Sequence, residues 1–257
     1  MKNVIILGSG RSGTSMVAGC LAKSGYFMGN QLWDACDSNP KGFFEDREIN
    51  EINEELLAPH IPKRLNIFGW HFFRQHPAKW QRWLACLPPD FKAEACPAIS
   101  VRIKKMVERQ PYCFKDPRFS YTLSAWAPYL NDTIFICVFR EPGKTACSID
   151  KECSNRWYLA NPKTGIKVSY DQALKVWSHM YATILSMSQD RERWLFMHYN
   201  QVLTEKGINL LEAFTGNKVD RSFPTPVLNR TKSGKNVPET CCNIYRNLCD
   251  IAGYENP

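Results

Sequence analysis

A three-layer α/β fold, with a mainly parallel central sheet flanked by helices, is what this sequence predicts, on three observations. Val4-Ile5-Ile6-Leu7 is a short apolar run that breaks into the turn Gly8-Ser9-Gly10-Arg11-Ser12-Gly13-Thr14-Ser15 and then resumes at helical spacing. Thr133–Phe139 is a continuous apolar and β-branched run, the pattern of a strand buried on both faces of a parallel sheet. Elsewhere, strand-length apolar runs alternate with helical-period stretches, as βα units require.

Composition bounds the rest. With 257 residues, 44% of them hydrophobic, the chain can bury one sizeable core, and residues 1–257 are expected to form a single domain with 59–98 as an excursion. The net charge of +8 is scattered rather than gathered in runs, which suits a small polyanionic ligand and argues against a nucleic-acid track. No apolar stretch approaches the roughly 20 residues of a membrane span, so neither membrane nor nucleic acid is an expected partner. The eleven cysteines are odd in number, irregular in spacing and without a Cys-x-x-Cys pair, against both a disulfide framework and a zinc site. Cys20, Cys137 and Cys147 read as core residues, and Cys241, Cys242 and Cys249 as partly exposed thiols. With no recognisable secretory signal, a cytoplasmic setting is expected, as a monomer or homodimer.

Taken in order, the first strand ends at Gly8, and Ser15–Ser24 carries Met16, Val17, Cys20 and Leu21 at helical spacing, with Gly25 as its stop. Residues 26–44 are turn-rich and deliver Glu45 and Asp46 to the start of a helix over Arg47–Leu57. There a carboxylate caps free N–H groups; a base role for Glu45 is the other reading of the pair. Residues 59–98 hold six prolines and the aromatics Phe68, Trp70, Phe72, Phe73, Trp80 and Trp83. They read either as a lid lining an acceptor pocket or as packing around a short helix at about 78–87. His60, His71 and His76 read as surface or packing residues rather than bases.

Ala98–Arg109 is a basic amphipathic helix. Tyr112–Lys115 is a short strand that Asp116-Pro117-Arg118 closes, setting Lys115, Asp116 and Arg118 at its C-terminal tip. A helix over Phe119–Leu130 precedes the Thr133–Phe139 strand. Arg140-Glu141-Pro142 follows, with Pro142 as first residue of a helix to about Lys151 and Ser148 within it. Residues 154–167 form a polar connection, Ser169–Ser188 a long helix, and Trp194–Met197 a further buried strand ending at His198-Tyr199. Gln201–Phe214 is helical, Asn229–Lys235 is a basic Gly/Ser loop, and a last helix runs from about Pro238 to Ile251.

The Gly8–Ser15 turn has the chemistry of an anion cradle. Its glycines let backbone N–H groups turn inward, and the following helix N-terminus adds unpaired donors and a positive dipole end. Ser12, Thr14 and Ser15 add hydroxyls and Arg11 a fixed charge. An ordinary strand-to-helix turn is the competing reading, but it seldom combines these residues. The Gly8-x4-Gly13 spacing opens like a nucleotide-binding P-loop, yet Thr14-Ser15 stands where that motif needs Lys then Ser/Thr. In a doubly wound sheet, ligands bind beyond the carboxyl ends of the strands, where this turn, Lys115, Arg140 with Ser148, and Tyr199 would gather.

These residues resemble the sulfotransferases that use 3′-phosphoadenosine 5′-phosphosulfate (PAPS). Arg11-Ser12-Gly13-Thr14-Ser15 is similar to their 5′-phosphosulfate loop, and Val138–Ser148 to their 3′-phosphate element, including the eight-residue step from Arg140 to Ser148. His198–Leu203 resembles the segment whose tyrosine, here Tyr199, lies by the adenine. Lys115-Asp116-Pro117 is similar to the Lys-Asp-Pro of tyrosylprotein and many bacterial members. Asn39–Asp46 resembles a bacterial subgroup in which a glutamate, here Glu45, is the base. The histidine base of the cytosolic animal enzymes has no match, and the Arg-Lys-Gly clamp is matched loosely by Arg230–Lys235.

The resemblance implies a P-loop nucleotide-hydrolase-like fold, and it assigns Arg11, Lys115 and Glu45 to catalysis. It gives Gly10, Arg11, Ser12, Gly13, Thr14, Ser15, Arg140, Ser148, Tyr199, Arg230 and Lys232 to the donor and its product, 3′,5′-adenosine bisphosphate (PAP). No metal is required, because a sulfuryl group carries less charge than a phosphoryl group and cations with backbone donors can stabilise its transfer. The implied acceptor is the hydroxyl or amine of a small molecule, such as a saxitoxin-type alkaloid. Two other readings remain: a P-loop small-molecule kinase using ATP-Mg, and a non-catalytic nucleotide-binding or scaffold protein. Surface ion pairs with Asp116 and Glu141 are the plain alternatives for Lys115 and Arg140.

Overall fold

The computed structural model describes residues 1–37, 39–225 and 236–255. Its centre is a four-stranded parallel sheet built from β1 (Asn3–Leu7), β4 (Cys113–Lys115), β5 (Thr133–Phe139) and β6 (Trp194–His198), in the spatial order β4-β1-β5-β6. Two further strands among the described residues, β2 (Asn66–Ile67) and β3 (Trp70–His71), form a separate antiparallel hairpin. Every residue of the four sheet strands is buried, which is why they read as unbroken apolar runs rather than as alternating patterns.

Alternation within those strands sorts side chains to two faces. Val4, Ile6, Cys113, Ile134, Ile136, Val138, Leu195 and Met197 point to one side. There they meet α1 (Thr14–Leu21) and α8 (Glu205–Thr215). Ile5, Leu7, Phe114, Phe135, Phe139 and Phe196 point to the other. That side is covered by α2 (Arg47–Leu57), α3 (Pro97–Val107), α4 (Phe119–Trp126), α5 (Pro142–Asn155), α7 (Tyr170–Met187) and α9 (Glu239–Ala252), with the short α6 (Trp157–Ala160) following α5. The result is the expected three-layer arrangement.

The strand order also locates a crevice. β1 leads to its neighbour β4 on one side, whereas β5 leads to β6 on the other, so the connections diverge at the carboxyl ends of β1 and β5. Register aligns Leu7 with Cys137, Ile6 with Lys115, and Phe139 with His198. The Gly8 turn, Lys115, Arg140 and Tyr199 therefore emerge on a single edge.

Several helix ends follow from local chemistry. Asp46 caps α2, its Oδ1 accepting from the N–H groups of Glu48 (2.9 Å) and Ile49 (3.2 Å). Ser169 and Thr204 cap α7 and α8 in the same way. Pro128 turns the end of the expected Phe119–Leu130 helix into the 3-10 turn Ala127–Tyr129, so α4 stops at Trp126. The Gln201–Phe214 stretch likewise divides into a 3-10 turn over Gln201–Leu203 and α8.

The 59–98 excursion departs most from expectation. The helix anticipated at about 78–87 is only the 3-10 turn Arg82–Leu84. The N–H groups of Trp80 and Arg82 donate instead to the buried Glu54 carboxylate on α2, at 2.9 and 3.1 Å, and so are lost to a helical ladder. The cysteine reading is also partly reversed: Cys241 and Cys249 are buried on the inner face of α9, whereas Cys147 is half-buried. No helix among the described residues is long and apolar enough to cross a membrane.

Candidate active site

The Gly8–Ser15 turn is held from beneath. The Tyr181 hydroxyl on α7 donates to Val138 O at 2.8 Å and accepts from the Ser9 N–H at 3.2 Å, bridging the end of β5 to the start of the turn. Tyr181 is fully enclosed, and burial pushes its phenol well above the ordinary value, so it stays a neutral two-way bridge. Two glycines are required by close approach. A Cβ on Gly8 would lie 2.2 Å from Val138 O, and one on Gly13, at φ +97°, would lie 2.6 Å from the Tyr199 ring. Gly10 is equally confined, with the Trp83 ring 2.6 Å from where its Cβ would stand.

Arg11 occupies a left-handed backbone conformation, φ 71°, which turns its side chain toward α5. Its Nε donates to Ser148 Oγ at 3.1 Å, and its Nη1 lies 3.7 Å from Glu152 Oε2. Arg140 leaves the end of β5 and stacks on the Tyr199 ring, 4.7 Å from its centroid. Burial, with the nearby Arg11 charge, lowers the Arg140 pKa, while burial raises that of Tyr199. Two guanidiniums thus converge at the strand edge with a helix N-terminus, an arrangement that attracts a polyanion. Within the turn itself, Ser12 is buried, its N–H closing on Ser9 O at 3.2 Å; Thr14 is buried, and Ser15 accepts from Asn39 Nδ2 at 3.3 Å.

The third element lies at the tip of β4. Lys115 is almost fully buried and its ammonium is ion-paired with Glu45. Glu45 is positioned by a short antiparallel bridge, in which Trp33 N donates to Glu45 O at 3.0 Å and Arg47 N to Gln31 O at 2.9 Å. Asp46 is the helix cap, and Glu45 is the carboxylate that meets Lys115. Asp116 and Arg118 turn away from this edge. Asp116 accepts from Asn50, Asn53 and the Arg118 guanidinium at 2.8, 2.9 and 3.0 Å, and Arg118 Nε donates to Glu54 at 2.8 Å, all buried. Lys115 therefore pairs with neither Asp116 nor a surface group, and Arg140 rests on an aromatic ring.

A profile of the sulfotransferase family matches residues 3–210, most of the chain and all of these elements. The chain belongs to the sulfotransferase family. No curated protein gives a significant match. Among solved structures, the chain is similar to the sulfotransferase domain from the curacin biosynthetic pathway, at 14% identity and TM-score 0.52, covering 100% of this chain and 99% of that one. It is also similar to the sulfotransferase domain from the Synechococcus PCC 7002 olefin synthase, at 14% identity and TM-score 0.50, covering 100% and 98%. At such identity the likeness is one of fold, and it agrees with the three-layer architecture.

In this sulfotransferase, several residues that build the site carry no motif. Tyr181 reads in sequence only as part of the apolar face of a long helix. Glu152 takes charge-assisted contacts from both Arg11 and Arg156, the latter at 3.1 Å. Tyr158, pushed up to about 12 chiefly by burial, carries the Arg156 guanidinium over its ring, 4.5 Å from the centroid. A helical i, i+4 spacing of Glu152 to Arg156 was the one signal available in sequence. Arg230 and Lys232, expected at the donor phosphate, lie outside the described residues.

Proposed function

We propose that this enzyme moves a sulfuryl group from PAPS to a hydroxyl or amine of a small-molecule acceptor. The observation that carries the reading is the Arg11–Ser148 hydrogen bond, because it joins the Gly8–Ser15 cradle to the α5 element beside Arg140. The glycine cradle, two converging guanidiniums and the Tyr199 ring suit a ligand with phosphate-type groups and a planar base. On this reading Gly10–Ser15 hold the 5′ end, Arg140 and Ser148 the 3′-phosphate, and Tyr199 the adenine side. The donor, when bound, supplies an electrophilic sulfur. Arg11 and Lys115 stabilise charge on its oxygens. Glu45 accepts the acceptor's proton, and its pairing with Lys115 keeps the base at the cationic centre.

The acceptor approaches, on this reading, from the 59–98 side, where Trp83 packs against Gly10. An acceptor of the natural-product kind is in keeping with the curacin biosynthetic pathway named for one structural neighbour, and a saxitoxin-type alkaloid is one to screen. The test is a thermal-shift series followed by turnover with labelled PAPS. PAP should raise Tm without added metal. Stabilisation by ATP-Mg but not by PAP would instead establish the kinase reading. Binding of PAP with no turnover on any screened acceptor, unchanged by Arg11→Ala, would favour a non-catalytic nucleotide-binding protein.

A further inference from the structure

The β2–β3 hairpin is patterned in reverse. Asn66 pairs with His71 and Ile67 with Trp70, and the Phe72 N–H donates to Leu65 O at 2.8 Å, so Leu65, Ile67, Trp70 and Phe72 share one face of the ribbon. That face is apolar and about half exposed, whereas half-buried His71 belongs to the opposite face. At the tip, Phe68 is 99% exposed in a left-handed conformation, φ 48°, and Phe73 beyond the hairpin is exposed at φ 55°. The almost wholly exposed Phe68 ring, held in a disfavoured conformation, is not explained by the packing of this chain.

The base of the hairpin is firmly fastened. His71 N donates to Lys163 O at 3.1 Å and Lys167 N to Arg74 O at 3.0 Å. The Arg74 guanidinium donates to the carbonyls of Gly165, Pro162 and Asn161 at 2.8, 3.2 and 3.0 Å. The exposed rings thus stand on a braced platform of two segments, 61–81 and 161–167. Those segments contain no acidic residue: none occurs between Glu55 and Asp90, nor between Glu152 and Asp171. Lys163 sits over the Trp70 ring, 5.8 Å from its centroid, and Lys63 and Lys167 are exposed nearby in the chain.

We propose that the 65–73 hairpin is a docking element that seats this face of the protein on a lipid surface carrying anionic headgroups. Protruding aromatics suit the headgroup boundary, and the lysines of two segments that carry no acidic residue of their own complement its negative potential. The absence of a membrane-spanning stretch does not oppose this, since peripheral attachment needs none. A second copy of the chain fits the same patch less well, because a two-fold interface would bring its lysines against their own counterparts. Trp157, which precedes Tyr158, is a further exposed aromatic. That lipid docking would face the acceptor side rests on the proposed function; the docking itself does not.

The experiment is co-sedimentation of the full chain, without donor or acceptor, with vesicles of phosphatidylcholine alone and of phosphatidylcholine with phosphatidylserine. Binding is expected only to the anionic vesicles, weakening with salt, and roughly tenfold or more weaker for Phe68→Ser/Phe73→Ser and for Lys163→Glu/Lys167→Glu. Unchanged Tm and PAP-induced stabilisation in both variants would show that the fold and the donor site are intact. Absence of binding to anionic vesicles overturns the proposal, as does equal binding by the aromatic variant. A concentration-dependent dimer that Phe68→Ser/Phe73→Ser dissolves, without vesicle binding, would assign the patch to self-association instead.

Discussion

The ammonium of Lys115, the last residue of β4, is ion-paired with the carboxylate of Glu45, one residue before the cap of α2. The contact joins segments 70 residues apart and places both groups where burial makes an unpaired charge costly. Lys115→Met is expected to lower kcat by about 10²–10³, the scale of losing one preorganised charge stabiliser. Glu45→Gln is expected to lower it by about 10²–10⁴, the scale of a general base. Each single change should also lower Tm, whereas the double variant should recover Tm without recovering turnover. Recovery of turnover in the double variant would assign the pair a structural role only.

The Arg140 guanidinium rests on the Tyr199 ring, and Ser148 accepts from Arg11. If these groups hold the 3′-phosphate, Arg140→Ala should weaken PAP by about 1.5–3 kcal/mol, the range for a hydrogen bond to a charged group, and Ser148→Ala by about 1 kcal/mol. Isothermal titration with PAP against 5′-AMP checks this. The loss should appear for PAP and be small for 5′-AMP, which lacks the 3′-phosphate. Equal losses for both would place Arg140 elsewhere on the ligand.

Gly13 and Gly216 separate strain from collision. Both have positive φ, +97° and +66°, but only at Gly13 would a Cβ meet another group, the Tyr199 ring at 2.6 Å. Gly216→Ala should cost about 1–2 kcal/mol from the left-handed conformation alone. Gly13→Ala should cost more and abolish PAP-induced stabilisation by displacing Tyr199. Chemical denaturation of the two variants, with and without PAP, reads the difference; an equal cost would show that Tyr199 moves aside freely.

His198 gives the stability a pH dependence. Burial first, and then the Arg140 and Lys144 charges, lower its pKa from 6.5 to about 3. Its Nδ1 accepts from the Asn200 N–H at 3.2 Å, so the proton is on Nε2, which lies 3.2 Å from the Tyr245 hydroxyl. The unfolded chain takes up a proton as pH falls below 6.5 and the folded chain does not. The stabilisation from neutral His198 is therefore present above 6.5 and declines as pH falls toward 3. At pH 5 the loss is about 2 kcal/mol. In a Tm series from pH 7 to pH 5, His198→Gln should start lower and fall less steeply; parallel curves would refute the assignment.

The loop and its partners were legible because they are written locally. Gly8, Gly10 and Gly13 mark a turn with little room for side chains, and Arg11, Arg140 and Ser148 stand at fixed spacings from strand ends. Asp46 as a cap was readable from its place before an amphipathic run. That the helix expected at about 78–87 does not form was not, since the Glu54 carboxylate that captures its backbone donors lies on another element. Nor was the division of the aromatic cluster, in which Trp83 packs on the loop while Phe68 and Phe73 face solvent.

By itself the sequence determined the four strands of the central sheet (though not the β2–β3 hairpin), their α/β alternation and the anion-cradle chemistry of Gly8–Ser15, because apolar periodicity and glycine placement are properties of neighbouring residues. Only the tertiary structure decided that Lys115 meets Glu45 while Asp116 and Arg118 turn into the core, and that Tyr181 props the loop. Those outcomes depend on which groups, distant in the chain, become the nearest partners once a strand end is buried. A charge withdrawn from water settles on the partner that packing brings to it, and no local spacing specifies that choice.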